Sequence, residues 1–100
     1  MLLEKPQRRM CMLEKQEKIQ ALYQVIADLH SPEQCADLFE DLCTTKEIEK
    51  MAERLQAARL LLEGNTYNQV IAQTDISSAT LSRVSRCVQY GKGYVGVLKK

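Results

Sequence analysis

The stretch TYNQVIAQTDISSATLSRVSRC, residues 66–87, decides the fold that we expect for this chain. It opens with a capping pattern, Thr66 followed three residues later by Gln69, and apolar residues then recur at helical spacing. A tight turn separates this short helix from a second one. The stretch therefore predicts a helix-turn-helix motif, and its inward-facing positions are Val70, Thr74, Ile76, Leu81 and Val84.

The second helix of this motif follows its predicted cap, Ser77, and presents short polar residues outward. An α-helix fits the width of the DNA major groove, and short side chains let it lie close to base edges. Amides at the capped end can face a phosphate, and an arginine can read guanine or clamp phosphate. The residues that we predict to bind DNA are Asn68, Gln69, Ser77, Ser78, Ala79, Thr80, Ser82, Arg83 and Arg86.

Two residues depart from the usual form of the motif. Asp75 occupies the turn position normally held by glycine, where a left-handed backbone is wanted, and aspartate tolerates that conformation at a modest cost. Ile71 stands where a small residue normally lets the two helices approach each other. We expect a slightly wider angle between the helices to accommodate both departures.

The composition is that of a small globular domain. The chain has 100 residues, of which 45% are apolar and 27% are charged. The net charge is only +1, but residues 1–65 carry 9 Lys/Arg against 12 Asp/Glu, whereas residues 66–100 carry 5 Lys/Arg and one Asp. This excess of positive charge in the region of the motif favours a nucleic-acid partner. No segment resembles a membrane helix or a signal sequence, so we expect a cytoplasmic protein.

The sequence before the motif is also helical. Residues 1–12 lack an apolar period and predict a flexible N-terminal arm, so that residues 13–100 form a single domain. Three helices should precede the motif, and the tail is either a further helical turn or an extended arm. The sequence predicts an all-α fold of five to six helices. The second helix should bury Cys35, Leu38, Phe39 and Leu42, and the third should bury Ile48, Met51, Leu55, Ala58 and Leu62.

Capping patterns mark where these helices begin and end. Ser31 with Gln34, and Thr44 with Glu47, predict capping boxes at the starts of the second and third helices. Gly64 predicts a left-handed cap at the end of the third.

The apolar run Leu60–Leu62 gives the third helix more than one apolar face. A layer of this size would leave apolar surface in water, so we expect a second copy to cover it in a homodimer. We expect no enzyme activity, because His30 lies at a helix end with no nucleophile placed near it by the sequence. The four cysteines match no zinc spacing and predict neither a metal nor a cofactor.

Three segments resemble the YerC/YecD type of Trp-repressor-related proteins: Ala79–Val84, Leu60–Gly64 and Cys87–Gly91. The similarity extends from about residue 13 to residue 98. The resemblance implies an intertwined homodimer, in which the N-terminal helices of both chains form one core and two helix-turn-helix motifs project from it. It also implies binding to double-stranded DNA as a transcriptional regulator.

The resemblance implies an effector pocket as well, and the matching residues are Thr44, Arg54, Thr80, Arg83 and Val84. Val84 matches the small glycine over which an indole ring lies in the Trp repressor. A branched side chain there overpacks the slot at a cost of about 1–3 kcal/mol or more, so we expect no tryptophan binding. The other residues have structural explanations too: Thr44 as a helix cap, and Arg54 as a partner of Glu47 or Glu53.

The resemblance also implies that this chain makes fewer contacts to DNA phosphates than the Trp repressor does. Basic residues on the first motif helix of the Trp repressor are matched by Asn68 and Ile71, so the salt-dependent share of DNA affinity should be smaller. Lysines in the tail could compensate. The alternative function is a protein-interaction module whose motif helices dock a protein partner.

Overall fold

The computed structural model describes residues 12–99 of the chain and the side chains of residues 14–99. All regular structure in this range is helical, as predicted. The arm predicted for residues 1–12 lies outside the described residues except for Met12, at which the first helix begins. The six helices are α1 (Met12–Ala27), α2 (Pro32–Leu42), α3 (Thr45–Leu62), α4 (Tyr67–Gln73), α5 (Ser78–Tyr90) and α6 (Gly93–Leu98).

The chain divides into two compact units, of which the first ends at Asp41 and the second begins at Leu42. The first unit comprises α1 and nearly all of α2, and none of its described side chains is fully buried. The second unit contains α3 to α6 and every fully buried side chain in the described part of the chain. A single domain over residues 13–100 stays a prediction.

The start of α2 departs slightly from the predicted capping box. The Ser31 hydroxyl accepts a hydrogen bond from the Gln34 amide at 3.1 Å, as expected for an N-cap. The Gln34 side chain, however, accepts its hydrogen bond from the backbone N–H of His30 at 2.6 Å and not from that of Ser31. The Gln34 side chain thus binds the backbone N–H one residue before the N-cap, and this N–H lies between α1 and α2.

The predicted burial of the apolar face of α2 is wrong for the single chain. Cys35, Leu38 and Phe39 are half-buried, and Leu42 is exposed. A helix buries its apolar stripe only where another element covers it. Sequence periodicity identifies the stripe but does not supply that covering element.

In the second unit, α3 is the central helix and packs against α4, α5 and α6. The prediction for α3 was partly wrong: Ala58 is fully buried, but Leu55 is 42% exposed and Ile48, Met51 and Leu62 are half-buried. Ala57 and Ala58 on α3 are both 0% exposed, and small residues of this kind allow a neighbouring helix to approach closely. The core consists of Ala57, Ala58, Leu60, Val70, Ile76, Leu81 and Val84.

Local capping defines the helix ends of this unit as the sequence predicted. Thr44 and Glu47 form a reciprocal capping box at the start of α3, and Thr66 and Gln69 form another at the start of α4. Gly64 follows α3 with φ of +101°, in the left-handed region where glycine carries no Cβ penalty. These three predictions are confirmed.

The two expected departures in the motif have different outcomes. Among the described residues no non-glycine has a positive φ, so the prediction of a left-handed Asp75 is wrong. The turn is instead formed by Thr74 in an extended conformation, whose hydroxyl donates to the Val70 carbonyl at 2.9 Å. Ile71 is 36% exposed on the surface of α4, and the slightly wider angle between the helices stays a prediction.

The tail forms the short helix α6, which decides between the two predicted alternatives. Tyr94 and Leu98, one helical turn apart, pack against the core of the second unit. Among residues 12–99, no helix combines the length and the apolar character that crossing a membrane requires.

Candidate nucleic-acid interface

The first turn of α5 is fixed by Ser77, its N-cap. The Ser77 hydroxyl accepts a hydrogen bond from the Thr80 amide at 3.2 Å and donates one to the Thr80 hydroxyl at 3.0 Å. The cap therefore defines where α5 begins and restrains the Thr80 side chain. The predicted role of Ser77 as a cap is confirmed.

The two faces of α5 differ sharply in burial. Leu81 and Val84 are 0% and 1% exposed and anchor the helix to the core. Residues 78, 79 and 82 project to the opposite side because of the 3.6-residue period, and all three are exposed. The helix thus presents a face of serine, alanine and serine side chains that a flat or grooved partner could approach closely.

Two arginines extend this exposed face toward the C-terminal end of α5. Arg83 and Arg86 are both exposed. The one ion pair in the described part of the chain joins Lys50 and Glu53, 4.0 Å apart, so neither arginine is held by a carboxylate there. Their guanidinium groups are therefore free to bind anions such as phosphates.

The remaining residues predicted to bind DNA differ in how available their side chains are. Asn68 on α4 is exposed. The Gln69 side-chain oxygen accepts a hydrogen bond from the Thr66 amide at 2.8 Å, so this side chain is engaged in its capping box. Thr80 is half-buried and hydrogen-bonded to Ser77. The exposed set thus centres on α5 more than on α4.

Sequence reasoning missed Tyr67, the first residue of α4. Its hydroxyl donates a hydrogen bond to the backbone carbonyl of Ser78, the first residue of α5, at 2.9 Å. The two residues are 11 positions apart, across the turn of the motif. No periodic pattern signals such a bond, because it depends on how the two helices are packed.

An open cleft of about 520 Å³ lies beside α5. Four of the five residues predicted for an effector pocket line it, namely Arg54, Thr80, Arg83 and Val84. The volume falls in the range of small-molecule sites. The cleft is completed by three residues not predicted for it, Ala79, Cys87 and Tyr94.

The fifth predicted pocket residue, Thr44, does not line this cleft. It acts as the N-cap of α3: its hydroxyl accepts from the Glu47 amide at 3.1 Å, and its own amide donates to the Glu47 carboxylate at 2.8 Å. The suggested pairing of Arg54 with Glu47 or Glu53 is also absent from the described residues. A structural role thus accounts for Thr44 but not for Arg54.

The described residues provide no group of three or more His, Cys, Asp or Glu side chains that could hold a metal ion. Cys35, Cys43 and Cys87 are free thiols and half-buried. The chemistry that this surface offers is hydrogen bonding and positive charge.

A family model described as Trp repressor protein matches residues 17–100 of the chain. The chain belongs to the Trp repressor family. This is a family of regulators, and the sequence-based recognition of a YerC-type Trp-repressor-related protein is confirmed. The chain is 46% identical, over 74 residues, to the protein YerC of Bacillus subtilis (strain 168), described as uncharacterized; the match covers 74% of this chain and 71% of the relative.

Solved structures of similar proteins support the helical fold. One is a crystal structure of a protein from Staphylococcus aureus assigned provisionally as a Trp repressor, with a TM-score of 0.79, 34% identity, and coverage of 90% of this chain and 93% of that one. Another is a TrpR-like protein from Eubacterium eligens ATCC 27750, with a TM-score of 0.74, 36% identity, and coverage of 84% and 94%. The all-α fold class is thereby confirmed.

Proposed function

We propose that this protein is a sequence-specific DNA-binding transcriptional regulator that acts as a dimer, with residues 66–87 serving as its helix-turn-helix. The observation that carries the proposal is the two-faced α5, whose Leu81 and Val84 are buried while Ser78, Ala79 and Ser82 are exposed. Such a helix can enter a major groove without removing any side chain from the core. A regulator of this kind must reach DNA, so the proposal places it in the cytoplasm.

Charge supports the same assignment. Residues 66–100 contain five Lys/Arg and a single acidic residue, Asp75. Arg83 and Arg86 are exposed at the helix that would enter the groove. Arginine binds both phosphate oxygens and the guanine edge, so these two side chains supply affinity and a means of base discrimination.

The dimer is supported by the apolar side chains of α1. Ile19, Tyr23 and Val25 are 47%, 58% and 49% exposed in the single chain. Apolar groups that recur along one helix at this level of exposure are typical of a surface that a partner covers. A second copy would cover them and would also pair two α5 helices for a two-fold symmetric DNA site, with centres about 34 Å apart.

The experiment that tests the function is selection of bound duplexes from a random DNA pool, followed by measurement of affinity at several salt concentrations. We expect a palindromic consensus with half-sites about one helical turn apart. We also expect a fall of affinity with salt, because phosphate neutralisation releases counterions. Failure to enrich any duplex at low salt would contradict the proposal.

One observation favours the alternative of a protein-interaction module. Tyr67 and Ile71 lie one turn apart on α4 and are 39% and 36% exposed, and Ile71 stands at a position where the resemblance implies a basic phosphate contact. An apolar pair of this kind suits a protein partner better than a phosphate backbone. Salt-independent binding, or none, to duplexes would favour this second function.

We propose further that tryptophan is not the effector. Val84 is 1% exposed and lines the cleft beside Arg54 and Arg83. By the family resemblance, its branched side chain stands where the Trp repressor has the small glycine under the indole. Isothermal titration with L-tryptophan should therefore detect no micromolar binding to the wild type. The Val84→Ala variant, which removes two methyl groups at that position, should bind more tightly than the wild type. Micromolar binding by the wild type would refute this steric argument.

A further inference from the structure

Tyr67 is the one side chain that hydrogen-bonds across the motif, among the described residues, from α4 to α5. Its hydroxyl donates to the Ser78 carbonyl at 2.9 Å, and both residues are the first of their helices. A carbonyl oxygen has two lone pairs, so Ser78 can accept this bond in addition to its helical one. The bond therefore adds a link between the two helix starts at no cost to the helix itself.

The position of this link matters because Ser78 begins the exposed face of α5. Leu81 and Val84 fix the buried side of the helix, but apolar packing is non-directional and leaves small rotations and shifts open. A hydrogen bond has a preferred length and angle. Tyr67 thus restrains the exposed end of α5, where Ser78 and Ala79 would meet base edges.

On the proposed DNA-binding function, we infer that Tyr67 is a positioning residue that sets the discrimination between a cognate site and unrelated DNA. Its hydroxyl is engaged with a backbone carbonyl, so it acts through α5. Hydrogen bonds to base edges need a particular length and angle and carry the sequence information, whereas contacts to phosphates carry no sequence information directly. Loss of the hydroxyl should therefore weaken cognate binding selectively.

The test compares Tyr67→Phe with Tyr90→Phe, which removes the same atom from a side chain that is 80% exposed at the other end of α5. The probes are the duplex selected by the wild type and a scrambled duplex of equal length, measured by fluorescence anisotropy at one salt concentration. For Tyr67→Phe we expect cognate affinity to fall roughly 3- to 10-fold, the effect of one net hydrogen bond. Affinity for the scrambled duplex should stay within about twofold, and Tyr90→Phe should leave both unchanged.

Two outcomes would overturn the inference. Unchanged affinity for both duplexes in Tyr67→Phe would show that the hydroxyl does not position α5. An equal fall on both duplexes, with a shallower salt dependence, would identify Tyr67 as a phosphate contact.

A second measurement separates this inference from the proposed function. The amides of Thr80 and Leu81 bond to the Ser77 hydroxyl and carbonyl at 3.2 and 2.9 Å. Their hydrogen exchange should become roughly 3- to 10-fold faster in Tyr67→Phe if the hydroxyl restrains this turn. If the wild type selects no duplex, the proposed function is refuted. The exchange rates then decide by themselves whether Tyr67 restrains the first turn of α5, and unchanged rates would refute that restraint.

Discussion

The two units of the chain differ in how completely their apolar side chains are buried. The second unit encloses a core of its own, in which Leu81, Val70 and Val84 are the largest fully buried side chains. The first unit has no fully buried side chain among its described residues, and Ile19 and Tyr23 remain about half exposed. Helices with similar apolar periodicity can therefore serve either a core within the chain or, as we propose, a core shared with a second copy.

A charge introduced on the apolar face of α1 should have the largest effect on the oligomeric state and on stability. In Leu22→Asp, a dimer would bury one unpaired carboxylate from each chain, at about 3–5 kcal/mol per chain. We expect monomers in sedimentation velocity and a lower thermal midpoint. The matched control is Gln20→Asp, at an exposed position on the side of α1 opposite to Leu22, which should remain dimeric. A dimeric Leu22→Asp would show that this face is not covered by a second copy.

Truncation of a side chain in the core of the second unit should have the second-largest effect on stability. Leu81→Ala removes a fully buried side chain and leaves a cavity, which costs about 2–5 kcal/mol of unfolding free energy. Urea denaturation followed by circular dichroism measures this loss. Val97→Ala, at a side chain that is 65% exposed, should change the unfolding free energy by less than about 0.5 kcal/mol. Similar losses in the two variants would refute the core assignment.

The smallest effect on stability is expected on the exposed face of α5. Arg83→Ala should leave the unfolding free energy within about 0.5 kcal/mol of the wild type, because Arg83 is exposed and not paired with a carboxylate in the described residues. It should nevertheless weaken binding to the selected duplex by about 1–3 kcal/mol. Fluorescence anisotropy measures this effect. Unchanged affinity would remove Arg83 from the proposed interface.

The sequence by itself determined the features that depend on near neighbours. Capping boxes at Thr44 and Thr66, the left-handed Gly64 and the buried positions Leu81 and Val84 all follow from residues within one or two helical turns. Each of these features depends on backbone geometry that repeats in every helix, so spacing along the chain is sufficient to identify it.

Only the tertiary structure decided the features that depend on packing between helices. Ala57 is buried and Leu55 is exposed, although the apolar stripe of α3 predicted that Leu55 would be buried. Tyr94 lines the cleft beside α5, and the Tyr67 hydroxyl donates a hydrogen bond to the Ser78 carbonyl. The reason is that burial and hydrogen bonding between elements depend on the distance and angle at which helices cross. Those quantities arise from many weak contacts at once and are not encoded in the period of any single helix.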